Sequence, residues 1–366
     1  MGRNDSHDTI PFRATHPGYI LKDELEARGI KQKDFAKSIE MHSSHLNEII
    51  KGKRDINASI AMKLERELNI SYDFWMNLQS NYERNCLAIE KRDAANADAD
   101  NWLSIISEKF NLHELLKRLD IDEFFSSKRL ESLTEKLGFN HPSEIIEAIP
   151  SFGNFKKSDK VDTDERNLNT WLLLVHSKIN RYEATNPYLG NLEEVANGLA
   201  AMANSRTLGK ENVRELFKDN GIIFIEEPKM EKVPVDAYST WREDIPVIAV
   251  TYRYGNDADK LAFNLLHELG HLKYHHGQSF LNVKDYDRSD PTERQADEFA
   301  EDCLIPPKVW KEILSVSVDK ISPQIVVKKL EEKAAENGIS PSIASYRYLY
   351  MIGSYNIKRT KHATLD

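Results

Sequence analysis

Residues 263–276 read FNLLHELGHLKYHH, and within them His267, Glu268 and His271 have the types and spacing of a metal-dependent hydrolase. In an α-helix, residues four apart sit one turn above each other on the same face, so His267 and His271 can present two imidazole nitrogens to one ion. Glu268 follows beside that face, placed to take a proton from a metal-bound water. The ion this set suits is Zn²⁺. A surface helix that happens to carry two histidines is the plain alternative. Against it, Leu261, Phe263, Leu265 and Leu266 give the helix a buried, apolar side. A carboxylate inside such a core without a role would be costly.

A third ligand is required. The position where a metzincin places its third histidine is Gly277, which excludes that pattern. Downstream, TERQADEFAED sets Glu293 and Asp297 four apart. Glu293 is then the expected third metal ligand, and Asp297 the acceptor that fixes the tautomer of a ligand imidazole. Glu298 and Asp302 repeat the spacing, with Glu298 as reserve ligand; a solvated acidic helix face is the alternative for both pairs. An added ligand from His275 or His276 would close the coordination position that catalysis needs open, so these two are read as structural or substrate-side.

The elements that must hold these residues begin near residue 221. IIFIEE, VDAYSTW and PVIAVTY are short, β-branched and aromatic, and are separated by turn residues, which predicts strands. PVIAVTY (246–252) is the strand expected to take a substrate chain beside it, and Tyr252 or Tyr274 is a candidate oxyanion partner. The HELGH helix follows, then a loop (GQSFLNVKDYDRSDPT), then a helix stopped at Pro306 and Pro307, and two more helices. Everything upstream is helical in period: the expected class is mostly α with a small β-sheet. The expected division is a disordered lead (1–13), a five-helix domain (14–85), a helical connection (86–160), a metallopeptidase domain (161–310) and a helical C-terminal segment (311–366). GNFKKSDKVDTDERN (153–167) reads as a linker or exposed loop.

Within 14–85, KQKDFAKSIEM and HSSHLNEIIKGKR are two short helices joined by a tight turn, the arrangement of a helix-turn-helix. The second helix offers Ser43, Ser44, His45 and Asn47 near its exposed start, and Lys33, Lys51, Lys53 and Arg54 lie where phosphates would pass. A protein-docking or dimerisation module of the same fold is the alternative. If DNA is read, paired half-sites imply a homodimer.

At 366 residues, with 40% hydrophobic and 30% charged residues, the chain has enough for two or three domains. The net charge of −9 excludes a chain that coats nucleic acid indiscriminately and leaves room for a local basic face. No run approaches the roughly 18 apolar residues of a membrane span. Cys86 and Cys303 have no CxxC spacing, which suits a reduced cytoplasmic protein. Gly2 and Ser6 fit a short lipidation pattern that is weak by itself.

Two resemblances follow from these residues. PVIAVTYRYGNDADKLAFNLLHELGHLKYHH, followed by ERQADEFAEDCLIPP, resembles the ImmA/IrrE family of metallo-endopeptidases, with Ala296, Phe299, Ala300, Leu304 and Pro306 matching and Cys303 in place of a leucine. That likeness implies a gluzincin-like zinc site and cleavage of one protein, a repressor or antitoxin. HPG (16–18), GIKQKDFA (29–36), GKRDI (52–56) and FWMNLQ (74–79) resemble the HigA-type antitoxin branch of lambda-repressor-like, XRE helix-turn-helix proteins. The combined expectation is a regulator that binds a double-stranded operator and cleaves a specific regulatory partner in a toxin–antitoxin, stress or phage-related system. The alternatives are a non-catalytic antitoxin or repressor whose zinc site only binds or senses a partner, and a toxin-like protease checked by a small neighbour protein.

Overall fold

The computed structural model describes residues 10–148, 162–183, 186–283, 290–315, 322–353 and 357–365. The Gly2/Ser6 pattern, most of the lead and residues 153–161 of the expected linker lie outside these. The chain divides into two compact units, one formed by residues 1–102 with 123–128 and the other by 103–122 with 129–366.

The first unit opens with α1 (Pro17–Ala27), α2 (Gln32–Ser38), α3 (Ser43–Ile50) and α4 (Ala58–Leu68). Their apolar faces close over one core containing Leu21, Leu25, Phe35, Ile39, Leu46, Ile49, Leu64 and Trp75. His16 caps α1, its Nδ1 accepting from the Gly18 amide at 2.9 Å. A Cβ on Gly18 would meet the Ile49 carbonyl oxygen at 1.7 Å, so α1 and α3 approach as closely as they do only because residue 18 is glycine. The fifth helix, α5 (Tyr72–Lys109), does not end near residue 85. It contains no glycine or proline, and nothing in its sequence stops it.

The second unit takes in the last turns of α5 from residue 103 and α6 (Leu112–Arg118), resumes at residue 129 within α7 (Ser126–Leu137), continues into α8 (Pro142–Glu147), and then builds its main body. This comprises α9 (Glu165–Arg181), α10 (Leu192–Asn204), α11 (Lys210–Asp219), the strands β1 (Ile223–Glu226), β2 (Val235–Arg242) and β3 (Ile245–Val250), and α12 (Ala258–Tyr274). There follow β4 (Phe280–Val283), α13 (Pro291–Leu304), α14 (Pro307–Leu314), α15 (Pro323–Glu336) and α16 (Pro341–Met351). The fold is mostly α with one small sheet, as the patterning predicts. The sheet runs β1-β3-β2-β4, with β1 parallel to β3 and the other pairs antiparallel.

Three expectations change. β4 forms in a stretch whose polar, glycine-containing sequence reads as a loop; its strand state comes from pairing with β2. β3 is bonded on both sides, by β1 and by β2, so it has no open edge on which to take a substrate strand. α13 does end before Pro306, but Pro307 also starts a further helix, since proline suits a helix's first turn, so three helices follow where two were expected.

Side chains of β2 alternate between two faces. Ala237 joins the large core with Leu261, Leu265 and Leu269 of α12, while Tyr238 meets α9, with Trp171 at 6.4 Å between ring centroids and its hydroxyl 2.9 Å from His176 Nε2. Ile313, Val326, Leu330 and Ala344 of the C-terminal helices belong to the same core as α12. The tail returns to the start of α12, where the Ala258 amide donates to the Ala363 carbonyl and the Leu365 amide to the Asn256 carbonyl, each at 3.0 Å. Among the described residues, no helix is long and apolar enough to cross a membrane.

Burial holds His176 down at about 4, below the 6.5 of a free histidine. As pH falls, the unfolded chain takes up this proton first, so the stabilisation is complete above about 6.5 and is lost progressively toward 4. The difference between the two states is worth roughly 3 kcal/mol at the acid end. Urea unfolding at pH 7 and pH 4.5 should show wild type losing more stability than His176→Gln by a large part of that amount. Equal losses would mean that His176 is not held neutral.

Candidate metal centre and nucleic-acid interface

α12 is started by Asp257, whose carboxylate accepts from the Lys260 amide at 3.0 Å, and α13 by Asp290, whose carboxylate accepts from the Thr292 amide at 3.0 Å. The two helices touch where Gly270 faces Ala296. A Cβ on Gly270 would stand 3.0 Å from the Ala296 Cα and 3.3 Å from its carbonyl oxygen. Two small residues thus let the helices come close enough for Glu293 and Asp297, one turn apart on α13, to reach the histidines of α12.

The donor atoms converge. His267 Nε2 and His271 Nε2 are 3.0 Å apart, and Glu293 Oε2 lies 3.2 Å from the first and 3.6 Å from the second. Two ligands at about 2.0–2.1 Å from a four-coordinate zinc lie roughly 3.3 Å apart, and the three distances bracket that value. Among the described residues, these three make up the one group whose donor atoms could hold a metal ion. Asp297 Oδ1 sits 2.9 Å from His267 Nδ1, which leaves Nε2 of that ring directed at Glu293. The reserve residue Glu298 is exposed and pairs with Arg294 at 4.0 Å, on the side of α13 that does not face the histidines.

Glu268 is fully buried beside this group, and neither carboxylate oxygen has a hydrogen-bond partner among the described residues. Burial pushes it up to about 7, against the pull of His267 and of the Ser239 and Asn282 side chains. Glu293 is held at about 2, because its hydrogen bonds to His267 and His271 outweigh the cost of its burial. The opposite directions separate two carboxylates: Glu293 is held anionic, as a metal ligand would need, while Glu268 can exchange a proton near neutrality.

Sequence reasoning missed three neighbours. Ser239 on β2 is 1% exposed, its hydroxyl likewise without a partner, and Asn282 on β4 is also buried. The Phe280 ring stacks on His271, centroids 4.0 Å apart and planes 5° from parallel. Two of these lie in the stretch read as a loop, so an alternating pattern in FLNV was the one available signal. Tyr252 and Tyr274 have other settings: Lys210 covers the ring of the first at 4.6 Å, and the second packs edge-on to Phe299.

In the first unit, α3 buries Leu46, Ile49 and Ile50 and exposes Ser43, Ser44 and Asn47, with His45 half-buried. Lys33, Lys51, Lys53 and Arg54 are exposed as well. Arg54 Nε pairs with Glu48 at 2.9 Å, a surface contact weak enough to yield to a phosphate.

An α+β unit with two helical histidines, a carboxylate ligand and a buried glutamate defines a metallopeptidase-type fold. The family model of the IrrE N-terminal-like domain matches residues 219–348, and that of a helix-turn-helix matches residues 21–75. The chain therefore carries an ImmA/IrrE-type metallopeptidase domain over residues 219–348 and an XRE-type helix-turn-helix domain at its N-terminal side. Virulence-associated protein A' of Dichelobacter nodosus is 39% identical over 69 residues, which are 19% of this chain and 60% of that protein. Virulence-associated protein A of the same organism is 38% identical over 69 residues, covering 18% and 68%. The chain thus spans about 60% of the length of the first of these relatives. Among solved structures, an addiction module antidote protein of a HigA family from Coxiella burnetii is 30% identical, with 22% of this chain and 89% of that chain covered and a TM-score of 0.21. The Pseudomonas aeruginosa antitoxin HigA with the higBA promoter is 35% identical, with the same coverage and TM-score.

Gly270→Ala should force α12 and α13 apart and cost about 1–3 kcal/mol. Urea unfolding of the full chain measures this, and an unchanged midpoint would show that the helices do not meet at residue 270.

Proposed function

We propose that this chain is a cytoplasmic DNA-binding regulator whose second unit is a zinc-dependent endopeptidase acting on one specific regulatory protein, a repressor or antitoxin. The observation that carries the enzymatic reading is the convergence of His267 Nε2, His271 Nε2 and Glu293 Oε2 within 3.6 Å of one another, beside a fully buried Glu268. Bound there by those three atoms, zinc would polarise the scissile carbonyl and acidify the attacking water. Glu268 takes the proton from that water on its carboxylate and passes it to the leaving amine; a group near neutrality suits both transfers. Asp297 keeps the His267 ring in the tautomer that offers Nε2. An extended substrate segment is best accommodated on β4, the edge strand, whose Phe280 already lies against His271.

The alternative of a site that only binds or senses a partner is less well supported, because binding does not need a buried glutamate without a hydrogen-bond partner. Glu268→Gln should keep the metal and lower cleavage of a partner encoded by a neighbouring gene by about 10²–10⁴-fold. Mass spectrometry of the incubated partner reads this. Retained cleavage with retained zinc would overturn the assignment.

For the first unit, α3 would enter the major groove of a double-stranded operator, with Ser43, Ser44, His45 and Asn47 at base edges. Lys33, Lys51, Lys53 and Arg54 would contact phosphates, and a homodimer would span two half-sites. Reversing Lys51, Lys53 and Arg54 together to glutamate should abolish the gel shift with promoter DNA of the protein's own gene at physiological salt. Each lost phosphate contact should also flatten the salt dependence by a log–log slope of about one. Undiminished binding would move the interface away from α3.

A further inference from the structure

The two imidazoles of the metal group are supported differently. His267 has a carboxylate behind it, with Asp297 Oδ1 at 2.9 Å from Nδ1. His271 has another histidine: its Nδ1 lies 3.3 Å from Nδ1 of His275, the residue that caps the C-terminal end of α12 and whose amide donates to the His271 carbonyl. A ring that offers Nε2 as a ligand carries its proton on Nδ1 and needs an acceptor there. His275, with its own proton on Nε2, presents that acceptor on Nδ1. Its contact is with the nitrogen of His271 that does not face Glu293, and it is not part of the convergent donor group. His275 also reaches the ring that stacks on His271, its centroid 5.1 Å from that of Phe280.

We propose that His275 is a positioning residue for the metal site, accepting the Nδ1 proton of His271 so that His271 Nε2 stays turned toward Glu293. This extends the zinc reading above and rests on it. It assigns the third histidine of the HELGHLKYHH stretch a purpose that ligand spacing alone does not give it.

The test separates the hydrogen bond from the packing. His275→Asn places an amide oxygen close to where Nδ1 stood and removes the ring. His275→Phe keeps a ring against Phe280 and removes the acceptor. His275→Ala removes both. Zinc affinity of the metal-stripped full chain is measured by chelator competition, and the visible spectrum of the cobalt(II)-substituted protein reports ligand geometry. His275→Phe and His275→Ala should bind zinc about 10–100-fold more weakly, with an altered cobalt spectrum, while His275→Asn stays within about threefold of wild type. Tight binding by His275→Phe, or loss in His275→Asn equal to that in His275→Ala, overturns the proposal and leaves the zinc site standing. A wild-type chain that binds no zinc overturns both.

Discussion

The close approach of α12 and α13 at Gly270 and Ala296 is the contact on which the site depends. Neither helix can form the metal group alone. α12 carries two imidazoles that share a face, and α13 carries Glu293, the acid that completes the set. A methyl at residue 270 would stand 3.0 Å from the Ala296 Cα, so one helix would have to give by a few tenths of an ångström just where the carboxylates meet the rings. The smallest residue of HELGH is thus as much a part of the site as the histidines, although it touches no ligand.

That closeness places several titratable groups in a dry place, which is costly unless each has a partner. His267 lies between Asp297 and Glu293, and both carboxylates offset the penalty of its burial. Glu268 is the exception, buried with neither oxygen hydrogen-bonded among the described residues. The large apolar core shared by α10, α12, the sheet and the C-terminal helices is what can hold such a group in place. A fold tolerating an unpaired carboxylate at its centre is consistent with a group kept for chemistry.

The helix-turn-helix unit follows the opposite logic. Its core is mostly apolar, the buried His16 and Gln79 each being hydrogen-bonded to a backbone amide, and the exposed start of α3 and the basic turn after it carry polar residues outward. The Gly18 contact with Ile49 fixes α1 against α3, and so sets which side of α3 can face solvent.

Local sequence determined a good deal: the helical spacing of His267 and His271, the adjacent Glu268, the one-turn separation of Glu293 and Asp297, and the apolar faces of α1 to α4. These are legible because helix periodicity depends on near neighbours along the chain. The end of α5 was not legible, because the polar run after residue 85 contains no stop and could continue or break. Nor was β4, whose four residues become a strand only by pairing with β2, more than thirty residues earlier in the chain. Glu293 was already the expected ligand from the sequence, with Glu298 in reserve, and the packing sets Glu293 against the histidines while leaving Glu298 exposed. Types and spacings fix which chemistry is available, whereas convergence of side chains from separate elements is a property of packing.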